Sequence, residues 1–168
     1  MVKVDVRAYV AHTFGHRKYV KEVLIPKINA LGILTKNPFY EPDGTTKRAE
    51  ILLADKINVK GTNRRANHGF EREREQWIEM CRKERAKIVD RDLGYIDHTD
   101  FTIAYMTDIS AGTTSEIFYT GVIKRRPVFL LSPNKSIRDH PWLIYGCRFG
   151  KVCATEEELL SILKRKYK

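Results

Sequence analysis

The sequence predicts a three-layer α/β domain with a five-stranded parallel sheet. Short apolar runs alternate along the chain with longer segments whose apolar residues recur at helical spacing. Strands that alternate with helices are typical of βαβ units, in which successive strands run parallel. The chain has 168 residues, of which 42% are hydrophobic, and this is enough for one domain with a substantial core.

Five apolar runs predict the strands, and each is short enough for a buried strand. In chain order they cover residues 4–11, 33–35, 101–106, 127–131 and 151–155. Helical spacing predicts helices over residues 18–31, 46–57, 71–87 with a continuation over 88–98, about 113–124 and 156–166. The polar segments at residues 37–44, 59–69 and 132–141 are predicted loops.

Helix-breaking and helix-ending residues refine the first helix. Pro26 lies within it and predicts a kink or an irregular turn, because proline lacks the N–H that a helix interior needs. Gly32 follows the last apolar position and predicts the end of the helix.

Three polar segments follow predicted strands and are expected to meet in one crevice. They are residues 12–17 after the first strand, 37–40 after the second and 107–116 after the third. In open parallel sheets, ligands bind at the carboxyl ends of the strands. The third segment combines Ser110 and Gly112 with the start of a helix, whose free N–H groups favour a phosphate. The sequence contains neither GxxxxGK[ST] nor GxGxxG, and a loop of this kind with nothing bound is the structural alternative.

Glu116 closes the third segment and is predicted to lie in the first turn of a helix. Its simplest interpretation is a first-turn glutamate beside a capping Thr113 or Thr114. The functional interpretation is a carboxylate that faces the crevice and attacks an electrophilic carbon. Asp92 shares a helix face with Ile96, which is expected to pack near the sheet. Two carboxylates in one crevice suit cleavage of a glycosidic bond.

The net charge indicates which classes of molecule the protein binds, and the cysteine content indicates its cellular compartment. Lys and Arg number 31 against 21 Asp and Glu, and the net charge of +10 favours a nucleic acid or a phosphorylated small molecule. The charged run at residues 60–75 is either a solvated face, a lid or a nucleic-acid contact. The three scattered cysteines form no CxxC and indicate a reducing cytoplasm. No secretory segment and no membrane span is expected.

The segment RDLGYIDHTDFTIAYMTDISAGTTSEIFYTG, residues 91–121, resembles the nucleoside 2-deoxyribosyltransferase superfamily. The shared pattern is an Asp-Leu on a helix, a hydrophobic strand that begins near an Asp, and a small-residue loop that ends in Glu. The resemblance covers about residues 88–131 and is supported by AYVAHTFGHR, residues 8–17. Residues 36–87 match nothing in the family and are interpreted as a divergent, partly helical insert or lid within a single domain spanning residues 1–168.

Membership of that superfamily implies a flavodoxin-like or Rossmann-like sheet and an assembly of two or more copies. No metal ion and no organic cofactor is expected. Glu116 resembles the nucleophile that attacks C1′ of the sugar, and Asp92 resembles the acid that assists the departing base. Tyr9, placed at the end of the first predicted strand, resembles the tyrosine whose hydroxyl holds the nucleophilic carboxylate.

Ser110 distinguishes two branches of this superfamily. The nucleoside transferases carry an Asp six residues before the Glu, whereas the 2′-deoxynucleoside 5′-phosphate N-hydrolases resemble this chain in having Ser110 and Gly112. An Asp would repel a phosphate, while a Ser and free amides would bind one. Thr13 resembles the phosphate-contacting Ser of that branch. Arg17 is a further phosphate candidate, in a register offset from the Arg of the family.

Further candidates are expected around the same crevice. His12 is expected to line the sugar pocket, and its spacing from His16 suits a metal, although no third ligand is evident. Phe39 and Tyr40 follow the second strand and either stack on a base or pack in the core. By the resemblance, the 132–145 loop offers a side chain to the phosphate of a neighbouring subunit. Its candidates are Ser132, Ser136, Arg138 and His140.

The residues and the resemblance together predict a cytoplasmic enzyme that hydrolyses the N-glycosidic bond of a (deoxy)nucleoside 5′-monophosphate. One alternative is a nucleoside 2-deoxyribosyltransferase, in which a second base replaces water. Another is a non-catalytic nucleotide-binding or nucleic-acid-binding protein, which the net charge of +10 motivates. The expected partners are a nucleotide or nucleoside and further copies of the chain. A nucleic acid is the less favoured partner, and the base and the sugar are left open.

Overall fold

The computed structural model describes residues 5–38 and 86–167. The chain divides into two compact units, one formed by residues 1–41 with 93–168 and the other by residues 42–92. All five strands lie in the first unit. The second unit falls largely within the segment that has no match in the family, and the insert or lid assigned to that segment stays a prediction.

Strands and helices alternate along the described residues. The strands are β1 Arg7–His12, β2 Leu34–Lys36, β3 Phe101–Tyr105, β4 Val128–Leu131 and β5 Lys151–Cys153. The helices are α1 Arg17–Tyr19, α2 Ile25–Asn29, α3 over residues 86–97, α4 Ala111–Phe118, α5 Lys135–Arg138, α6 Pro141–Gly146 and α7 Glu156–Tyr167. One π-helical turn, Val20–Leu24, joins α1 to α2, and another, Tyr119–Ile123, continues α4.

The five strands form one parallel sheet in the order β2-β1-β3-β4-β5. This is the flavodoxin-like order, and it confirms the predicted fold class. The chain leaves β1 toward β2 on one side and returns to β3 on the other. The carboxyl ends of β1 and β3 therefore flank the point at which ligands bind in such sheets.

Two hydrophobic layers cover the two faces of the sheet. Alternate residues of β1 point to opposite faces, so Val10 packs with residues of the π-turn, α2 and α7, while Tyr9 packs with residues of α3, α4 and α6. Buried side chains on the second face include Ile96 of α3, Ile117 of α4 and Leu143 of α6. The structure is therefore a three-layer α/β fold, as predicted.

The irregular turn predicted at Pro26 is present as the π-helical turn Val20–Leu24. Pro26 lies two residues after this turn, at one of the first two positions of α2. Gly32 ends the segment with φ of 81°, a left-handed conformation that glycine adopts without strain.

The structure differs from one helix prediction in its starting residue and from one loop prediction in its content. The helix expected at about residue 113 begins at Ala111, because Ser110 takes an extended conformation and caps it. The loop predicted over residues 132–141 contains α5 and the start of α6. Asn134 caps α5 by accepting from the Ser136 N–H, and a proline stands at the start of α6.

Cys147 and Cys153 are buried free thiols. Burial raises the pKa of Cys147 to about 12 and that of Cys153 to about 11, which favours the protonated thiol at both positions. Cys81 lies outside the described residues. Within residues 5–38 and 86–167, no helix has the length and apolar character needed to cross a membrane.

Candidate active site

The Tyr9 hydroxyl and the Glu116 carboxylate meet on the α4 side of the sheet. Tyr9 is fully buried, and its hydroxyl donates to Glu116 Oε1 at 2.6 Å. That distance is typical of a hydrogen bond from a hydroxyl to a charged carboxylate. The structure thus brings together two of the predicted site residues. Tyr9 is the third residue of β1, and its predicted place at the end of that strand is wrong.

Glu116 lies deeper in its helix than the sequence suggests. With Ser110 as the cap, Glu116 is the sixth residue of α4, so it is not a first-turn glutamate. Thr113 and Thr120 are buried on the same helix face, three residues before and four after it. The carboxylate of Glu116 is half-buried and faces the sheet rather than the helix end. Helix capping therefore does not explain Glu116.

The start of α4 offers donors for an anion. The Ser110 hydroxyl accepts from the Thr113 N–H at 3.5 Å, and the Thr114 N–H reaches the Ser110 carbonyl at 2.9 Å. The N–H groups of Ala111 and Gly112 have no carbonyl within the helix to bond. A Cβ added at Gly112 would meet no atom of the described residues within 4 Å. The predicted phosphate ligands Ser110 and Gly112 thus both lie at the start of α4.

The ring of His12, at the end of β1, has hydrogen-bond partners at both of its nitrogens. Its Nδ1 lies 2.8 Å from the Thr13 carbonyl, which only accepts, so Nδ1 carries the proton. Nε2 then accepts from the Asn37 side-chain amide at 3.1 Å. Burial lowers the pKa of His12, which is 4% exposed. Sequence reasoning missed Asn37, although its polar side chain directly follows β2.

His16 and His12 have different partners. His16 Nε2 lies 2.8 Å from the Thr107 hydroxyl, and that hydroxyl donates to Asp108 at 3.0 Å. Because Thr107 has a single hydroxyl proton, His16 is the donor in the first of these bonds. Among the described residues, no group of three His, Cys, Asp or Glu side chains is arranged to hold a metal ion.

The two remaining phosphate candidates lie near the start of the first helical segment. The Thr13 carbonyl accepts from the His12 ring and from the His16 N–H at 3.0 Å. Arg17 begins α1 and is exposed, and it lines a surface depression with Lys18 and Lys21. Their roles as phosphate ligands stay predictions.

Asp92 belongs to the second unit and forms an ion pair with its neighbour. Arg91 Nη2 and Nε lie 2.8 Å and 2.9 Å from Asp92 Oδ1. The Asp92 side chain is 16% exposed. Its role as the acid stays a prediction. Phe39 and Tyr40, the predicted base-stacking pair, lie outside the described residues.

The segment after β4 is held by its own hydrogen bonds. Arg138 donates to the carbonyls of Ser132 and Pro133 at 2.9 Å and 2.8 Å. Asn134 donates to the Thr107 carbonyl at 3.0 Å and so joins the segments after β3 and β4. Ser136 is exposed, and the buried Nδ1 of His140 has no hydrogen-bond partner among the described residues. A contribution of these residues to another copy of the chain stays a prediction.

Thr102 and Thr120 were missed by sequence reasoning. Their hydroxyls lie 2.8 Å apart in the core, and Thr120 also donates to the Glu116 carbonyl at 2.9 Å. The signal available in the sequence was a threonine within the apolar strand FTIAY. A buried hydroxyl in such a strand needs a hydrogen-bond partner.

Comparison with solved structures supports the architecture. A 2-deoxyribosyltransferase from Bacillus psychrosaccharolyticus has a TM-score of 0.55 and 17% sequence identity, covering 92% of this chain and 90% of that one. A CMP N-glycosidase, BcmB, from Clostridium botulinum has a TM-score of 0.49 and 20% identity, covering 95% of this chain and 98% of that one. No protein-family model and no curated protein matches the sequence. This chain therefore has the fold of the solved 2-deoxyribosyltransferase.

Proposed function

We propose that this chain hydrolyses the N-glycosidic bond of a (deoxy)nucleoside 5′-monophosphate and releases a free base and a sugar 5-phosphate. The observation that carries the proposal is the 2.6 Å hydrogen bond from the buried Tyr9 hydroxyl to the Glu116 carboxylate. This bond orients one carboxylate oxygen, and the half-buried position limits its access to water. A carboxylate oriented in this way suits attack on an anomeric carbon.

Glu116 is the nucleophile in the proposed reaction. Its oxygen forms a bond to C1′ of the sugar as the bond from C1′ to the base nitrogen breaks, and the electron pair leaves with the base. The departing base takes a proton, a role that the sequence resemblance gives to Asp92. Water then attacks C1′, gives up a proton and releases the Glu116 carboxylate together with the sugar 5-phosphate.

The start of α4 supports a phosphorylated substrate. The N–H groups of Ala111 and Gly112 point out of the helix end, and the helix dipole favours negative charge there. Ser110 adds a hydroxyl without a charge that would repel phosphate. Within residues 5–38 and 86–167, no atom lies within 4 Å of a Cβ added at Gly112, which leaves room there for phosphate oxygens. Thr13 and Arg17 are the proposed additional ligands.

A deoxyribosyltransferase is the close alternative, since the same covalent ester can pass its sugar to a second base. Ser110 favours the hydrolase, because the resemblance places an Asp there in the transferases. The net charge of +10 motivates the other alternative, a nucleotide-binding or nucleic-acid-binding protein without catalysis. Each alternative gives a different outcome in the same experiment.

The test measures release of free base by liquid chromatography. The protein is incubated with each common nucleoside 5′-monophosphate and deoxynucleoside 5′-monophosphate, and with the corresponding nucleosides. Glu116→Gln is expected to lose activity by on the order of 10³-fold or more, because it removes the nucleophile. Glu157→Gln, an exposed change on α7, is the matched control. Asp92→Asn tests the acid, with the exposed Asp90→Asn as its control.

Base release from a monophosphate alone, lost in Glu116→Gln and kept in Glu157→Gln, would support the hydrolase. Release that needs a second base would favour the transferase. No release from any substrate, with DNA or RNA binding that weakens steeply as salt is added, would overturn both enzymes in favour of a binding protein.

A further inference from the structure

Two buried threonines connect the backbone of Glu116 to the sheet. The Thr120 hydroxyl donates to the Glu116 carbonyl at 2.9 Å, and the Thr102 hydroxyl lies 2.8 Å from that of Thr120. Thr102 is fully buried and Thr120 is 1% exposed. Because Thr120 uses its single hydroxyl proton on the carbonyl, Thr102 is the donor between the two hydroxyls. The hydrogen bonds therefore run in one direction, from β3 to the helix.

Thr102 also stands beside Tyr9 in the sheet. The two residues are register partners across β1 and β3, so their side chains leave the same face. Tyr9 bonds to the carboxylate of Glu116, and Thr102 acts through Thr120 on the carbonyl of Glu116. Tyr9 and Thr102, which are neighbours across two strands, thus fix the carboxylate and the backbone carbonyl of Glu116, respectively.

We propose that Thr102 and Thr120 are positioning residues that set the distance between the Glu116 carboxylate and the Tyr9 hydroxyl. This inference rests on the proposed hydrolase, in which Glu116 is the nucleophile. Thr120 lies in the π-helical turn after α4, where the backbone hydrogen bonds change from an i+4 to an i+5 pattern. The Thr120 hydroxyl, which is hydrogen-bonded to Thr102 in the sheet, fixes the position of the Glu116 backbone relative to the sheet where the helix backbone is irregular. A displacement of about 1 Å at a reacting group can cost on the order of 100-fold in rate.

Valine substitutions test the hydroxyls while keeping the side-chain shape. Thr120→Val and Thr102→Val are each expected to lower kcat for base release by about 10-fold and to leave KM within about twofold, because substrate contacts remain. Thr120→Ser restores the hydroxyl and is expected to stay within about threefold of the unchanged protein. Thr120→Ala replaces the valine variant if that variant does not fold.

Thr99→Val is the matched control. Thr99 is 4% exposed, and its hydroxyl donates to the Ile96 carbonyl at 2.9 Å, so it makes the same kind of bond at a different helix. Its loss is expected to lower stability to a similar extent and to leave kcat unchanged. In a Tyr9→Phe background, Thr120→Val is expected to lower kcat by less than it does in the unchanged protein, because the part of its effect that acts through the Tyr9 hydroxyl is already lost.

A second measurement needs no turnover. In protein labelled with ¹³C at the tyrosine Cζ, the Tyr9 signal, assigned by its loss in Tyr9→Phe, reports the hydrogen bond of its hydroxyl. We expect this signal to move in Thr120→Val and Thr102→Val, and to stay in place in Thr99→Val. A signal and a kcat in the valine variants equal to those of Thr99→Val would overturn the positioning role and leave the hydrolase intact. If the unchanged protein releases no base, the hydrolase fails, and the Tyr9 signal alone decides the positioning role.

Discussion

The Tyr9 hydroxyl contacts the proposed nucleophile from the sheet. Its hydrogen bond to Glu116 is expected to steady the carboxylate during attack on the sugar and during release of the ester. A hydrogen bond to a charged group contributes about 1.5–3 kcal/mol, so Tyr9→Phe should lower kcat by about 10- to 100-fold. Steady-state kinetics check this, with the exposed Tyr145→Phe as the control. Equal kcat in the two variants would contradict a role for Tyr9.

Gly112 gives a prediction on substrate binding. A methyl group at this position meets no atom of the described protein within 4 Å, so Gly112→Ala should fold normally. Alanine is the better helix former, and stability should rise by about 0.5–1 kcal/mol. The methyl would nevertheless occupy the space proposed for phosphate, and KM for the monophosphate should increase by about 10-fold or more. A stabilised variant with an unchanged KM would place the phosphate elsewhere.

His12 makes stability depend on pH in a defined window. Burial lowers its pKa below the ordinary 6.5, although its hydrogen bond to the Thr13 carbonyl acts in the opposite direction. As pH falls, the unfolded chain therefore takes up this proton before the folded chain does. The contribution of His12 to stability is complete above pH 6.5 and is lost as the pH falls toward the folded pKa.

Urea unfolding between about pH 7.5 and 5 measures this loss. The free energy of unfolding should decrease with acid in the unchanged protein and decrease less in His12→Gln. His98→Gln, a substitution of the same type at an exposed ring, is the control variant. The carboxyl groups of Asp97, Glu156 and Glu158 have lowered pKa values and titrate below this window. An unchanged slope in His12→Gln would show that the ring does not titrate on unfolding.

At the scale of elements, the π-helical turn after α4 packs against α6 without intervening side chains. A Cβ added at Gly121 would lie 1.8 Å from the Gly146 carbonyl oxygen, and one added at Gly146 would lie 2.6 Å from the Ile117 side chain. Gly121→Ala should therefore force the two helical segments apart and destabilise the protein by about 1–3 kcal/mol. Urea unfolding measures this, and Gly112→Ala serves as the tolerated counterpart. Equal stabilities would mean that α6 moves aside freely.

The positions of most strands and helices could be predicted from the sequence. The hydrogen-bond partners that fix the exact ends of the helices could not. The five strands and the helix at Glu156 follow from local apolar patterns, so their existence was predictable. The start of α4 was misplaced because Ser110, Thr113 and Thr114 are all competent caps, and only the backbone conformation of Ser110 decides between them. The short helix α5 has four residues and no periodic pattern to reveal it.

In the candidate site, likewise, some residues could be predicted from the sequence and others could not. Resemblance drew attention to Tyr9 and Glu116 because their residue types carry the chemistry. Asn37, Thr102 and Thr120 act through partners that strand register brings together, and register is not visible in one sequence. Buried hydrogen bonds between distant residues are therefore the part of this site that required coordinates.

At the scale of the whole molecule, the net charge of +10 should speed the arrival of an anionic substrate. We expect kcat/KM for the monophosphate to fall by about 10-fold as ionic strength rises from about 0.05 to 0.5 M, because salt screens the attraction. The kcat at saturating substrate should stay constant, since the bound complex is already formed. A salt-independent kcat/KM would indicate that the surplus charge serves another partner.

The Tyr9–Glu116 contact joins residues 107 positions apart, and this separation has a consequence for folding kinetics. The helices α4 and α7 form from contacts between near neighbours, whereas β1 must find β3 across a long stretch of chain. During refolding, the helical circular dichroism signal should therefore recover before the two groups of the proposed reaction meet. A freshly refolded molecule would already be helical and would still release no base. Activity would begin only when β1 has taken its place beside β3.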